Sequence, residues 1–151
     1  MPDTPETCPA CGADWRGGQT CEDHFHQMLF WEAEDQRRGV VHHLMVLSYQ
    51  LQHPHRYSNA GLRYSVGLLV EFVEQGTPTE VVRARSRDSV DSGKRSWTVT
   101  ARPGDAGAYA NPVTWTVTAA DVIARGADAY VESVREWARS IYDALRESGN
   151  L

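Results

Sequence analysis

Residues 21–54 read CEDHFHQMLFWEAEDQRRGVVHHLMVLSYQLQHP, and the fold turns on how this stretch divides. From Cys21 to about Asp35, Phe25, Met28, Leu29 and Ala33 recur near helical spacing. From Val40 to His53 the stripe His42, Val46, Tyr49, His53 follows i, i+4, i+7, i+11. Between them Asp35-Gln36-Arg37-Arg38-Gly39 is polar and holds the only glycine of the stretch, so the spacing predicts two helices folded back as a hairpin. For an antiparallel pair turning near positions 37 and 38, facing positions sum to about 75, so that 22 faces 53, 26 faces 49 and 32 faces 43. His53 thereby returns to the end of the hairpin where Cys21 begins, and Glu32 comes beside His42 and His43.

That juxtaposition matters because of where sulfur and imidazole lie. All three cysteines, Cys8, Cys11 and Cys21, precede position 22, and all six histidines fall between 24 and 55. An odd cysteine count argues against a disulfide framework and for thiols kept reduced. Cys8-Pro9-Ala10-Cys11-Gly12 is a C-x2-C knuckle whose spacer lets two sulfurs approach one ion, and no β-α-β pattern surrounds it as a redox pair of the thioredoxin kind would require. Thr20 is a natural helix N-cap, which sets Cys21 at a helix N-terminus, where the thiolate a metal needs is favoured.

Tetrahedral structural zinc takes four ligands, so the fourth must be a histidine. His53 reaches across the hairpin and is followed by Pro54, which ends the helix. His24 lies three residues after Cys21 on the same face. His26 lies about 140° around the helix from Cys21 and is the poorest of the three by geometry. His42 and His53 cannot share an ion on one straight helix, because eleven residues rise about 16 Å.

Glu32 with His42, His43 and His26 forms a second polar group. A carboxylate and two imidazoles is the composition of a 2-His-1-carboxylate metal site or of an oriented general base. Adjacent helical histidines point about 100° apart, however, so the plainer reading pairs one of them with Glu32 inside the helix interface.

Beyond Pro54, Ser58 caps an expected helix with the stripe Leu62, Val66, Leu69, Val73, closed by Gly76. Thr77-Pro78-Thr79-Glu80 reads as the start of a short helix whose tail, Arg83, Arg85 and Arg87, leads to Lys94 and Arg95. Ser96-Trp97-Thr98-Val99-Thr100 and Thr114-Trp115-Thr116-Val117-Thr118 are near copies in strand pattern and predict a two-stranded ribbon, its Trp face packed on the helices or, with Tyr109, lining a pocket. A helical turn opens near Thr118 and Asp121, Gly126 interrupts it, and Asp128 caps a longer helix to about Arg146 with the stripe Tyr130, Val134, Trp137, Ile141, Leu145. The expected fold is mainly α with a minor β part: a bundle of about five helices, one ribbon and an N-terminal zinc-bound loop. It forms one domain over 1–151, divided into the knuckle loop at 1–20, helices at 21–90, the ribbon at 96–118 and the C-terminal helix at 119–148.

The chain has 151 residues, 41% of them hydrophobic, enough for one core. Its formal charge of −5 is the wrong sign for a protein living on phosphate backbones, so a nucleic-acid zinc module is disfavoured. Apolar runs such as 66–70 and 44–47 fall far short of the roughly 20 residues a membrane span needs. The N-terminus, Met1-Pro2-Asp3-Thr4-Pro5-Glu6, is acidic where a secretory signal is basic, so a cytoplasmic location is expected.

The knuckle, Cys21 with Phe25-His26-Gln27-Met28-Leu29 and Trp31-Glu32, Val41-His42-His43-Leu44, Leu51-Gln52-His53-Pro54, and Val90-Asp91-Ser92-Gly93 with Arg95 and Trp97 together resemble an uncharacterised bacterial domain-of-unknown-function family over nearly the whole chain. The resemblance implies Cys8, Cys11, Cys21 and His53 as the ligand set, and it keeps His26, Glu32 and His42 as candidates for a second site. It implies no activity. Two functions follow from the residues. The first is a small protein with structural zinc that acts by binding a protein partner or a small molecule. The second is a metalloenzyme of hydrolase or transferase type, with an open metal position or a site built from His26, Glu32, His42 and His43.

Overall fold

A computed structural model describes residues 5–81, 84, 101 and 104–151. Five helices of seven residues or more organise them: α1 (Cys21–Glu34), α2 (His42–Leu51), α3 (Asn59–Glu74), α4 (Ala119–Arg125) and α5 (Tyr130–Glu147). Short 3₁₀ turns at Gln36–Val41, Pro54–Arg56 and Ala127–Ala129 connect them. No helix among the described residues is long and apolar enough to cross a membrane.

The helix starts follow local chemistry. Thr20 and Asp23 form a capping box on α1, in which the Asp23 carboxylate accepts the Thr20 N–H at 2.8 Å and the Asp23 N–H donates back to Thr20 Oγ1 at 3.3 Å. Ser58 Oγ accepts the Gly61 N–H at 2.9 Å to open α3, and Gly76, at φ +64°, turns the chain away at its end. Asp121 accepts the Thr118 N–H at 2.8 Å at the head of α4. Asp128 does not cap the last helix as expected. Residues 127–129 form a 3₁₀ turn, and α5 starts at Tyr130 behind Ala129, with no side-chain cap.

α5 is the central element, packed on α2, α3, α4 and the first 3₁₀ turn. Tyr130, Val134, Trp137, Ile141 and Leu145 are all fully buried, as the stripe predicts. Each such side chain contributes about 1.5–3 kcal/mol by leaving water, which makes this helix the chief source of core stability. α1 packs on α2 and α4. It buries Cys21, His24 and Met28 and leaves Ala33 exposed, so its inner face is more polar than the apolar spacing suggests. The α3 stripe is also rotated: Leu62, Ser65, Leu68, Leu69 and Phe72 are inside, and Val66 and Val73 are only half-buried.

The ribbon expectation is corrected in its second arm. No strand occurs among the described residues, whose only bridges are the isolated Thr7–Asp14 and Ser58–Ala106 pairs. Residues 113–118 are irregular and are held by side chains among the described residues: Gln52 Nε2 donates to the Val117 carbonyl at 2.7 Å, the Asp121 cap takes the Thr118 N–H, and Trp115 packs edge-on to Tyr109 at 5.9 Å. The first arm, 96–100, with Trp97, lies outside the described residues, as do Arg83, Arg85, Arg87, Lys94 and Arg95. The helical turn expected from Thr77 begins two residues later, at Thr79.

Candidate metal centre

The hairpin delivers His53 to Cys21 through a departure from regular helix. α2 ends at Leu51, and His53 stands just beyond it at φ −127° and ψ 61°, ahead of Pro54. Released from the helical path, the imidazole turns back over its own last turn. His53 Nδ1 lies 2.6 Å from the Tyr49 carbonyl; a carbonyl can only accept, so Nδ1 carries the proton and Nε2 presents its lone pair. The Tyr49 ring stacks against it at 4.5 Å, and Phe25 of α1 packs on Tyr49 at 4.7 Å. The backbone carbonyl thus fixes both tautomer and direction, as ligating histidines require.

On the other side, the knuckle folds as a tight loop. The Cys8 N–H donates to the Ala13 carbonyl at 2.9 Å, the Gly12 N–H donates to the Cys8 carbonyl at 2.8 Å, and Gly12 takes φ +78°, a conformation that favours glycine. Cys8, Cys11, Cys21 and His53 converge with their donor atoms all within 4.8 Å of one another, and all four residues are buried. Cys8 Sγ lies 3.5 Å from His53 Nε2, and Cys11 Sγ lies 3.5 Å from Cys21 Sγ. Ligands at tetrahedral zinc distances stand about 3.5–3.8 Å apart, so the donor set fits such an ion. The three cysteines are free thiols.

The electrostatics point the same way. Hydrogen bonds from the Cys11 and Cys21 thiols, against the opposing cost of burial, hold the Cys8 thiol far below its ordinary range. Cys21 and Cys8, together with burial, push Cys11 far above it. Three sulfurs in one dry pocket cannot all ionise unless a cation joins them. Burial alone would lower His53, but without an ion the sulfurs of Cys21 and Cys8 and the Tyr49 carbonyl outweigh it and push the imidazole up to about 9, so the Nε2 lone pair becomes available to an ion at the expense of a proton.

Two contributors have no motif of their own. Trp15 Nε1 donates to Cys21 Sγ at 3.3 Å; its only sequence signal is an indole between the knuckle and the third cysteine. The Tyr49 carbonyl is a backbone group and carries no side-chain signature. The other two candidate histidines lie outside this cluster. His24 is buried on α1 but outside the cluster, its Nε2 without a partner among the described residues, and burial lowers its pKa against the pull of Asp23. His26 is exposed, its nearest ring Phe25 at 6.1 Å.

The second polar group forms a chain. Glu32 Oε1 lies 2.6 Å from His42 Nδ1, and Glu32 Oε2 accepts the hydroxyl of Tyr130 from α5. The His43 ring stands perpendicular to His42 at 5.2 Å. Among the described residues, Cys8, Cys11, Cys21 and His53 are the one group of three or more metal-donor side chains, and neither His26 nor His43 joins Glu32 and His42 in another. Tyr130 was out of reach of sequence reasoning for this pair, being 98 residues from Glu32.

A cleft of about 530 Å³ runs between the knuckle and residues 113–121, lined by Cys8, Cys11, Asp14, Thr114 and Trp115 among others. A smaller one of about 230 Å³ adjoins it through Ala10, Val113 and Trp115 and reaches Pro54, His55 and Tyr109, so two of the aromatics expected to line a pocket do so.

The model of a family described as a family of unknown function, DUF5946, matches residues 6–146. No curated protein and no solved structure matches the chain.

Proposed function

We propose, for a chain that belongs to DUF5946 and takes no activity from that membership, that Cys8, Cys11, Cys21 and His53 bind one zinc ion in a closed structural centre and that the protein works by binding a partner. The observation that carries the reading is the burial of four converging donors, three of them sulfur. Sulfur-rich four-donor sets hold zinc with no open position, which suits support of a fold and not activation of water. The ion would tie the N-terminal loop to the α1–α2 hairpin. The cleft beside the knuckle is the natural place for a protein segment or small molecule to meet the surface that the ion shapes. Thiolate ligands need a reducing compartment, in keeping with the cytoplasm.

Metal stoichiometry on chelator-washed protein, read with X-ray absorption at the metal's edge, tests the proposal. The expected result is one zinc per chain with three sulfurs and one nitrogen. No bound zinc, or unchanged zinc content in Cys8→Ser/Cys11→Ser, would sink it.

A second reading, catalysis at the turn end of the hairpin, is favoured by one observation: Glu32 orients His42 through Nδ1 and leaves the other ring nitrogen of a half-exposed side chain free to act as a base or ligand. A second metal equivalent with a nitrogen- and oxygen-rich shell, lost in His42→Ala, would shift the assignment there.

A further inference from the structure

We propose that the same centre is an oxidation site: hydrogen peroxide entering through the cleft joins Cys11 to Cys21 in a disulfide and thereby releases the ion, an inference that rests on the zinc reading above. Three observations carry it. The cleft is lined by Cys8 and Cys11 but not by Cys21, so the knuckle is the side from which a small oxidant approaches the buried sulfurs. Cys11 Sγ already lies 3.5 Å from Cys21 Sγ, and the two need only close to bonding distance. Cys8, the other knuckle sulfur on the cleft, is paired with His53 Nε2 at 3.5 Å, which favours Cys11 and Cys21 as the two thiols that join.

The chemistry balances. A bound ion would keep Cys11 ionised against the sulfurs that otherwise hold its proton; the Cys11 thiolate then attacks one oxygen of hydrogen peroxide, the O–O bond breaks, and the sulfur becomes a sulfenic acid while the other oxygen leaves as water after taking up a proton. The Cys21 thiolate then attacks that sulfur, the S–S bond forms, and the sulfenic oxygen leaves as a second water with a second proton. Two thiolates lose two electrons, and one peroxide gains them. Cys8 and His53 remain as two donors, half of what a structural zinc centre requires, so the ion leaves and the knuckle loses its tie to the hairpin.

The test uses the intact zinc-loaded chain and hydrogen peroxide, with released zinc followed by a chromogenic chelator and the thiols mapped by peptide mass spectrometry. The expected result is one zinc released per peroxide consumed, a linked Cys11–Cys21 peptide pair, and zinc taken up again after reduction with dithiothreitol. Zinc retained in excess peroxide, a Cys8–Cys11 link in place of Cys11–Cys21, or oxidation to sulfinic acid with no link would each overturn the inference and leave the zinc reading standing. A chain that binds no zinc before peroxide is added overturns the zinc reading itself.

Discussion

The α1–α2 hairpin carries a polar cluster at each end, and the two are satisfied in opposite ways. At the open end, three sulfurs and an imidazole lone pair face one another, with the Trp15 indole and the thiols' own weak S–H groups as donors. Such a pocket is rich in lone pairs and poor in strong donors, and it suits a cation. At the turn end, the two oxygens of Glu32 each receive a donor, the His42 Nδ1–H and the Tyr130 hydroxyl, and the carboxylate is balanced by neighbours already present. The lesson is one of accounting by type: acceptors without donors mark a place for an ion, and acceptors matched to donors mark a joint between helices.

The contrast is open to direct attack. The largest effect is expected at the open end: His53→Ala or Cys8→Ser/Cys11→Ser should abolish stoichiometric zinc and cost about 4–6 kcal/mol, on the order of 10–20 °C in Tm for a chain of this size. Calorimetry beside metal analysis reads both, and an unchanged Tm would erase the distinction between the ends. Next comes Glu32→Gln, which weakens both bonds of the turn-end chain and should cost about 1–3 kcal/mol while zinc stays at one per chain. Loss of zinc in that variant would mean that the ends are not independent. Tyr130→Phe leaves one Glu32 oxygen short of a donor and is expected to cost about 1 kcal/mol in denaturant unfolding, with Glu32→Gln/Tyr130→Phe less than additive. Smallest is Trp15→Phe, which keeps the ring but removes the N–H that meets Cys21. Zinc affinity in a competition titration should fall roughly fivefold, about 1 kcal/mol, with the fold intact.

Much of this arrangement was legible in the sequence because a hairpin register is a strong constraint. Facing positions summing to about 75 foretold what is seen as Phe25 on Tyr49, Glu32 on His42 and Cys21 near His53, each pair one residue off that sum. Ligand type and spacing then pointed to the three cysteines and to one histidine among His53, His24 and His26, and the family resemblance favoured His53. The rest depended on contacts that no local pattern encodes. Tyr130 reaches Glu32 from the far end of the chain, and Gln52 claims the Val117 carbonyl. Strand propensity in Thr114-Trp115-Thr116-Val117 is real, but β propensity reflects packing against a partner, and here the observed partners are the Tyr109 ring and the Gln52 side chain. The rotated face of α3 has the same origin: α2 and α5 both pack on it, and their combined footprint, not helical period alone, decides that Ser65 is inside and Val66 half out.

The distance along the chain between the donors also sets a timetable. Cys8, Cys11 and Cys21 leave the ribosome early, and His53 follows 32 residues after Cys21. At ordinary elongation rates that is on the order of two to six seconds. During that interval the nascent chain exposes three thiols with no imidazole to complete the set, so anything it captures is held provisionally. The finished centre exists only after α2 has been synthesised and folded back on α1, so a stably held ion would be a record that the first third of the molecule has been assembled in the right order.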